Sequence, residues 1–290
     1  MHKFKFRLVA LFTILLFISG VQARTLDEIK KSGKLYVGFT RWDYKNINYP
    51  LAEEFARFLN VKMVSVTIEW DECFSNEGKV PTDVETNMSL KYTPDAFKKV
   101  DIICSTFSML EWRARLFDFA KTLYSAELLL INRSTELPRD FTSLKGKSIA
   151  FMQGTSFEGH ISGINQQIGG GIKLKSVTTD DDSKKLLSDG SVYGIILDAD
   201  EALNFNALSS NKYQIAFPVS QVTNSAWAVE KGNSLKNEVE NFIQTIETNG
   251  VLDKIFVEHF KLKYSTYLQK IRKSISLQAY HRDLDEMIDL

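Results

Sequence analysis

The sequence predicts an α/β protein with two lobes, each a mostly parallel sheet flanked by helices. Strand and helix patterns alternate over residues 25–127, in an order that favours a parallel sheet. The same alternation continues over residues 132–217. Amphipathic helices after residue 230 then need a surface to cover, which a chain returning to the first unit would provide. We therefore expect two crossings between lobes, near residues 128–132 and 217–221.

These crossings set the expected domain boundaries. The first lobe is predicted to comprise residues 24–127 and 222–262, and the second residues 128–221. Residues 263–290 follow as a C-terminal helical extension, since apolar side chains recur there at helical spacing. This extension could pack on its own lobe or dock on a membrane partner.

In the first unit, each element has its own local signal. Helices are predicted at 26–32, 51–59 and 92–99, and strands at 35–39, 61–70 and 102–104. Residues 40–50 have no periodicity and are predicted to form a loop, and residues 71–91 an irregular insertion.

The second unit and the returning segment are similarly regular. Strands are predicted at 128–131, 148–152, 172–177, 192–198, 213–219 and 225–230. Helices are predicted at 157–168, 180–188, 198–208, 235–249 and 252–260. Asp180 to Asp182 is interpreted as a solvated helix start, where acidic residues suit the helix dipole.

The charge balance gives no reason to expect a nucleic acid or an anionic membrane surface as the partner. The chain has 290 residues, of which 36 are basic and 36 acidic. Its 44% apolar and 25% charged residues are ordinary for a globular protein.

The first 23 residues have the pattern of a cleaved signal peptide. Basic residues at positions 3, 5 and 7 precede the apolar segment Leu8 to Ile18, which is too short to span a bilayer comfortably. The small-x-small pattern predicts a cut after Ala23; a retained anchor is the alternative. Cleavage would leave 33 basic and 36 acidic residues. No later stretch has the length and apolarity of a transmembrane helix.

The stretch from Asp101 to Phe119 has the composition of a carboxylate site. The strand at 102–104 leads into Ser105, Thr106 and Ser108, and Arg113 follows. A strand that ends in hydroxyls and enters a helix brings hydroxyls and free N–H groups together, and an arginine can lean over them. Arg113 could instead pair with Glu111 or Asp118 on a helix surface.

Five segments in order resemble the bacterial extracellular solute-binding proteins, family 3, the periplasmic receptors for amino acids and similar small polar solutes. They span residues 26–262 and comprise Leu35–Gly38, Val100–Ile103, the set Ser108, Glu111, Arg113 and Asp118–Phe119, Leu144–Lys147 followed by Ile149–Thr155, and Tyr193–Asp198. The sequence departs from the pattern at Phe107 and Trp112, which are bulky, and in the insertion at 71–91.

The resemblance implies a periplasmic-binding-protein-like fold with a ligand between the lobes. It assigns Arg113 to the ligand α-carboxylate, because a guanidinium can hold both oxygens at once. The hydroxyls of Thr106, Ser108, Thr155 and Ser156 would complete that shell, and Asp198 would accept from the α-ammonium. Trp42, Tyr44 or Tyr49 would cover the ligand. Local alternatives are helix N-capping by Thr155, Ser156 and Asp198, and surface packing by Trp42 and Tyr44.

The predicted function is a monomeric periplasmic receptor that delivers a small polar solute to an ABC importer. A signalling or scaffold protein acting on a membrane sensor is the alternative, and a relative of cell-wall hydrolases a third. No enzyme, cofactor or metal is predicted, since the histidines are scattered without metal-ligand spacing. Cys73 and Cys104 could pair in an oxidising compartment or be two buried small apolar residues.

Overall fold

The protein is described by a computed structural model over residues 23–41, 43–269 and 271–272. The helices are α1 Leu26–Ser32, α2 Asn48–Phe58, α3 Ser156–Gln167, α4 Asp180–Ser188, α5 Ala199–Leu208, α6 Leu235–Thr248 and α7 Val251–Phe260. The strands are β1 Lys34–Phe39, β2 Lys62–Thr67, β3 Ile102–Phe107, β4 Phe117–Ser125, β5 Glu127–Asn132, β6 Ser148–Met152, β7 Lys173–Val177, β8 Gly194–Asp198, β9 Tyr213–Pro218 and β10 Thr223–Glu230. Short 3-10 turns lie at Asp43–Lys45, Trp70–Cys73, Asp95–Lys98, Arg113–Arg115 and Phe141–Leu144.

Two five-stranded sheets form the two lobes, which confirms the predicted fold class. The first sheet has the order β2-β1-β3-β10-β4, and the second the order β7-β6-β8-β5-β9. β1 is parallel to β2 and β3, and β6 is parallel to β7 and β8. Both sheets are mixed, because β10 runs antiparallel to β3 and β4, and β5 antiparallel to β8 and β9.

The antiparallel strands follow from the path of the chain between the lobes. The chain leaves the first sheet at Ser125, enters the second at Glu127, and returns from Pro218 to Thr223. Residues 128–132 therefore lie within β5. The alternation of apolar and polar residues did not predict β4, because burial does not alternate along this strand.

Helices cover the sheets and join the two lobes. α2 packs on β1 to β3 and α6 on β4, whereas α3 and α4 pack on β6. α5 lies on β5, β8 and β9 and also contacts α7. Residues 264–269 continue the chain as a helix, and Tyr264, Tyr267 and Ile271 are buried in the same hydrophobic core. The beginning of the extension thus packs on the body of the protein.

The two cysteines do not form a disulfide. Cys73 and Cys104 are both free and buried. Cys73 packs with Ile103, while Cys104 belongs to the other hydrophobic cluster along with Ile102. Neighbouring residues of β3 point to opposite faces of the sheet, which accounts for the separation.

The predicted signal peptide, apart from Ala23, lies outside the described part of the chain. Within that part, no helix has the length and apolarity needed to cross a membrane.

The described residues of the loop after β1 surround a buried carboxylate, that of Asp43. Asp43 is fully buried and accepts hydrogen bonds from the Thr40 amide, at 2.9 Å, and from the Thr40 hydroxyl. The side-chain amides of Asn46 and Asn48 also donate to it, at 3.2 and 3.3 Å. Burial raises the pKa of Asp43 to about 6. α2 then begins at Asn48, with Pro50 in its first turn, where proline is tolerated.

Asn48 connects this loop to the rest of the first lobe. Its Oδ1 accepts a hydrogen bond from Nε1 of the fully buried Trp227, at 2.8 Å. Its Nδ2 also donates to Oγ1 of Thr106, at 3.0 Å. The same asparagine thereby positions a hydroxyl of the candidate site described below.

Replacing Asn48 with leucine should destabilise the fold by about 3 kcal/mol, because buried donors and acceptors lose their partners. Urea unfolding followed by circular dichroism measures this change. Asn237→Leu is the matched control, since Asn237 is exposed on α6 and should change stability by less than about 0.5 kcal/mol. Equal stabilities of the two variants would contradict the role given to Asn48.

Candidate ligand-binding site

A cavity lies between the two lobes at the carboxyl ends of the parallel strands. Its empty volume is about 560 Å³, including space open to solvent. The lining residues are Asn46, Trp70, Ser105, Thr106, Ser108, Arg113, Met152, Thr155, Ser156, Phe157, Asp180, Asp198, Asp200 and Glu201. Nearly all of them follow closely after a strand or close it, as expected for ligand sites in open α/β sheets.

Arg113 forms the basic part of the lining. It is 2% exposed, and its guanidinium lies over the rings of Trp70, Phe74 and Trp112, at 5.5, 5.2 and 5.1 Å from their centres. The bulky Trp112 is therefore part of an aromatic box around the arginine. Cation–π contacts of this kind favour a desolvated guanidinium.

The polar contacts of Arg113 leave it without a counter-ion. Nη1 donates to the Ser108 carbonyl at 3.3 Å, and Nη2 to the Gly154 carbonyl of the other lobe at 3.5 Å. Nε is buried and has no hydrogen-bond partner. Within the described residues, no carboxylate forms an ion pair with Arg113. Burial lowers the pKa of Arg113 to about 10, so the side chain remains charged at neutral pH.

The structure excludes the surface-pair alternative for this arginine. The Asp118 carboxylate accepts from Lys231 Nζ at 2.9 Å and from the Gly232 amide at 2.8 Å. The expected helix after β3 is wrong, because only a 3-10 turn forms at Arg113–Arg115. No helix N-terminus therefore supplies N–H groups on this wall, and the arginine itself is the main donor there.

A chain of hydrogen bonds crosses from the first lobe to the second beside Arg113. Ser108 Oγ lies 2.7 Å from Ser156 Oγ, and Ser156 Oγ donates to Glu127 Oε1 at 2.5 Å. The other Glu127 oxygen lies 2.7 Å from His160 Nδ1. This hydrogen bond is the main cause of the raised pKa of His160. Each hydroxyl has one proton, so Ser108 must donate to Ser156 in this arrangement.

Glu127, which the sequence analysis did not single out, lies where the chain passes from the first lobe to the second. It is the first residue of β5, directly after the chain crosses from β4, and its side chain is 4% exposed. Through Ser156 and Ser108 it connects the crossing with both walls of the cavity.

The lining also contains a group of acidic side chains. Asp180, Asp198, Asp200 and Glu201 all line the cavity. Burial raises the pKa of Asp180 and of Asp200 to about 7, and that of Asp198 well above its ordinary value. One buried oxygen of Asp180, Oδ1, and one of Asp200 have no hydrogen-bond partner. Glu201 is paired with Lys184.

Two of the proposed capping roles are not seen. Asp198 and Thr155 occupy the N-cap positions of α5 and α3, but neither side chain makes a capping hydrogen bond. Thr155 Oγ1 instead donates to the Met152 carbonyl at 2.7 Å. The interpretation of Asp180 as a solvated residue is wrong, since it follows β7 into the cavity. Asp181 does fit that interpretation, with a side chain that is 94% exposed.

The structure brings together most of the residues that the sequence singled out. Those lining the cavity are Thr106, Ser108, Arg113, Thr155, Ser156 and Asp198. Tyr44 lies elsewhere, since it packs on Phe39 and Tyr49 and its hydroxyl lies 2.9 Å from Thr67 Oγ1. Trp42 lies outside the described residues. The missed lining residues include Trp70, Asp180 and Asp200, which the rule for strand ends would have suggested.

Comparison with known proteins assigns the chain to a family. Residues 84–262 match the bacterial extracellular solute-binding proteins, family 3. The chain belongs to this family. The resemblance seen in the sequence is thereby confirmed, and a solute-binding role follows at the level of the family.

Two curated relatives with different names are similar to parts of this chain. The chain is 25% identical to an L-glutamate/L-aspartate-binding protein of Pseudomonas aeruginosa, over 56% of this chain and 54% of that protein. It is 22% identical to a membrane-bound lytic murein transglycosylase F of Pseudomonas fluorescens, over 83% of this chain and 49% of that protein. The chain thus spans about half the length of these relatives.

Solved structures support the same fold. An ancestral arginine-binding protein bound to arginine has a TM-score of 0.61 and 19% identity to this chain. The alignment covers 79% of this chain and 98% of the ancestral protein. At this identity the likeness shows the fold.

Proposed function

We propose that the protein is a periplasmic receptor that captures an amino acid or a related zwitterion between its lobes and delivers it to an ABC importer. The observation that carries this proposal is the buried Arg113, which has no counter-ion among the described residues and shares a cavity with several carboxylates. Burying a cation is costly unless an anion accompanies it. A ligand carboxylate at this place would supply the anion.

In this proposal Arg113 binds the ligand carboxylate, and Asp198 accepts hydrogen bonds from the ligand ammonium. Asp198 is close enough for its charge to act on Arg113. The hydroxyls of Thr106, Ser108, Thr155 and Ser156 lie around the same space. Ser108 and Ser156 would then turn their protons from the hydrogen-bonded chain toward the ligand as the lobes close on it.

The relatives support the class of ligand. One is named for binding glutamate and aspartate, and the ancestral structure contains arginine. Both kinds of ligand have an α-carboxylate and an α-ammonium. The proposed lobes are residues 24–127 with 222–262, and residues 128–221; export would follow cleavage after Ala23. We propose a monomer that acts on a membrane permease.

A thermal-shift and calorimetric panel tests the proposed ligand class. α-Amino acids should raise the melting temperature, because a ligand that binds only the folded protein stabilises it. Carboxylic acids without the amine, and amines without the carboxylate, should bind at least about 100-fold more weakly, since each leaves a buried charge unpaired. Equal responses to the three groups, or no response to any amino acid, would refute the zwitterion site.

A second candidate is a regulatory binding module that signals to a membrane sensor or acts on a cell-wall enzyme. It is favoured by the relative named as a lytic murein transglycosylase, which matches a larger share of this chain than the binding protein does. Uptake measurements distinguish the two functions. Deleting the gene should abolish uptake of the bound solute if the protein serves an importer, and should leave uptake unchanged if it signals.

A further inference from the structure

We propose that the preferred solute carries a second cationic group, held by Asp180 and Asp200, in addition to its α-ammonium. This inference rests on the proposed function and names the class of ligand: an amino acid whose side chain ends in an ammonium or a guanidinium.

The first support is the charge of the cavity lining. In the part of the chain that the structure describes, Arg113 is the one basic side chain there, whereas Asp180, Asp198, Asp200 and Glu201 are acidic. Lys184 pairs with Glu201, and at 3.9 Å with the exposed Asp181. A zwitterion with a neutral side chain would pair with Arg113 and Asp198. Asp180, on which the charge of Lys184 acts, and the buried Asp200 would then receive no cation from the ligand.

The second support is independent of the number of acidic residues. Asp200 is 5% exposed, lines the cavity, and its Oδ1 has no hydrogen-bond partner. Oδ1 of Asp180 is likewise buried and unpartnered. Buried acceptors in native proteins are usually paired, and unpaired ones are costly. Two unpartnered acceptors in one cavity lining are what a ligand with several N–H donors would satisfy.

The cavity lining offers different carboxylates to the two cations, Asp198 to one and the pair Asp180 and Asp200 to the other. The charge of Asp198 acts on Arg113, and the charges of Asp200 and Asp180 act on Asp198. A ligand with its carboxylate at Arg113 and its ammonium at Asp198 would extend its side chain toward Asp180 and Asp200.

The lining also offers apolar surface for the side chain of such a ligand. Trp70, Met152 and Phe157 contribute to the cavity. Met152 and Phe157 are only 4% and 6% exposed, so their positions are fixed by the core. Methylene groups of a lysine-like or arginine-like ligand would be covered there while its terminal cation reaches the carboxylates.

Matched pairs of ligands test the inference by calorimetry. L-Arginine and L-citrulline have nearly the same shape and differ in charge, and L-lysine and L-norleucine differ by the terminal ammonium. We expect the cationic member of at least one pair to bind about 30-fold more tightly than its neutral partner, the size of effect of a charge-assisted hydrogen bond. Binding of the cation should also release protons, seen as a dependence of the heat on the buffer, because buried carboxyl groups become ionised.

Two variants and a control localise the effect. Asp200→Asn and, separately, Asp180→Asn should each reduce the preference for the cationic member to less than about 5-fold. Asp181→Asn should keep the full preference, because Asp181 belongs to the same helix as Asp180 but is exposed. Circular dichroism checks that each variant is folded, and the wild-type pairs test the inference without any variant.

The outcomes separate this inference from the proposed function. If citrulline and norleucine bind as tightly as arginine and lysine, the zwitterion site stands and the second cation site is refuted. If only agmatine and cadaverine, which lack the carboxylate, bind, the role of Arg113 is refuted as well. If neither member of any pair binds, both the proposed function and the inference are overturned.

Discussion

Replacing Arg113 with methionine is expected to reduce the affinity for the zwitterionic solute by at least about 100-fold, or about 3 kcal/mol. Among the described residues the guanidinium is the only basic group in the cavity lining, and its Nε is buried without a partner. Methionine is unbranched and fills a similar space among Trp70, Phe74 and Trp112. Because the buried cation has no ion pair, the free energy of unfolding should stay the same or rise.

Arg115→Met is the control for this experiment. Arg115 follows two residues later and donates to the Val84 carbonyl at 2.7 Å, outside the cavity. Its removal should leave affinity within about 3-fold of the wild type, as expected for a residue without ligand contact. Arg113→Lys separates charge from geometry: lysine keeps the charge but cannot hold both carboxylate oxygens. Unchanged calorimetric affinity in Arg113→Met would refute the assignment.

The sequence predicted the part of the site that depends on local order along the chain. Arg113 and Ser108 were found because they follow a short apolar strand at a recognisable spacing, and Ser156 because it begins a helix directly after another strand. Such features depend on neighbours in the sequence. The same is true of the helix at 26–32, which has both a capping box and a glycine C-cap.

The remaining part of the site depends on contacts between distant segments. Asp180 has the sequence context of an exposed helix start, and only the position of β7 in the second sheet places it beside Asp200 and Asp198. Asp43 looked like a loop residue because its partners Thr40, Asn46 and Asn48 are polar. The spacing of hydrophobic residues does not reveal a buried network of polar residues.

The contacts between the two lobes enclose these charged groups. Ser108 reaches Ser156, and Arg113 reaches the Gly154 carbonyl, so both walls of the cavity contact each other. Within the described residues, Asp180, Asp198 and Asp200 are taken out of water without an ion pair, since Lys184, whose charge acts on Asp180, pairs with Glu201 and Asp181. A ligand with positive charge would relieve this cost, which links the acidic residues of the cleft to the stability of the protein as well as to binding.

The ligand-free protein should therefore lose stability as pH rises from about 5 to about 8, by a few kcal/mol in total, since one unit of pKa shift corresponds to about 1.4 kcal/mol. Burial raises the pKa of Asp43 to about 6 and those of Asp180 and Asp200 to about 7. In this range the folded protein holds protons that the unfolded chain has released. Stability must then fall with rising pH until the folded-state pKa values are passed.

Other charged groups near these carboxyls also influence how stability depends on pH. Asp180 faces Lys184, Glu201, Asp181 and Asp43, and Asp200 faces Glu201 and Asp43, with Tyr267 of the extension near Asp200. His160, whose pKa is raised by Glu127, contributes in the same direction, because its stabilisation is lost as pH rises through that pKa. The lowered pKa of the half-buried His259 acts in the opposite direction.

Differential scanning calorimetry across this pH range measures the loss of stability, and variants identify the side chains that cause it. Asp200→Asn and Asp180→Asn should each flatten the decline, since an amide does not titrate, whereas His160→Gln should remove only the smaller histidine contribution. Asp181→Asn should reproduce the wild-type slope. Saturating L-arginine should raise the melting temperature more at about pH 8 than at about pH 5, because a cation stabilises the ionised carboxylates. A melting temperature that rises with pH in the free wild type would show that the carboxyl groups of the cleft are already compensated by the protein itself.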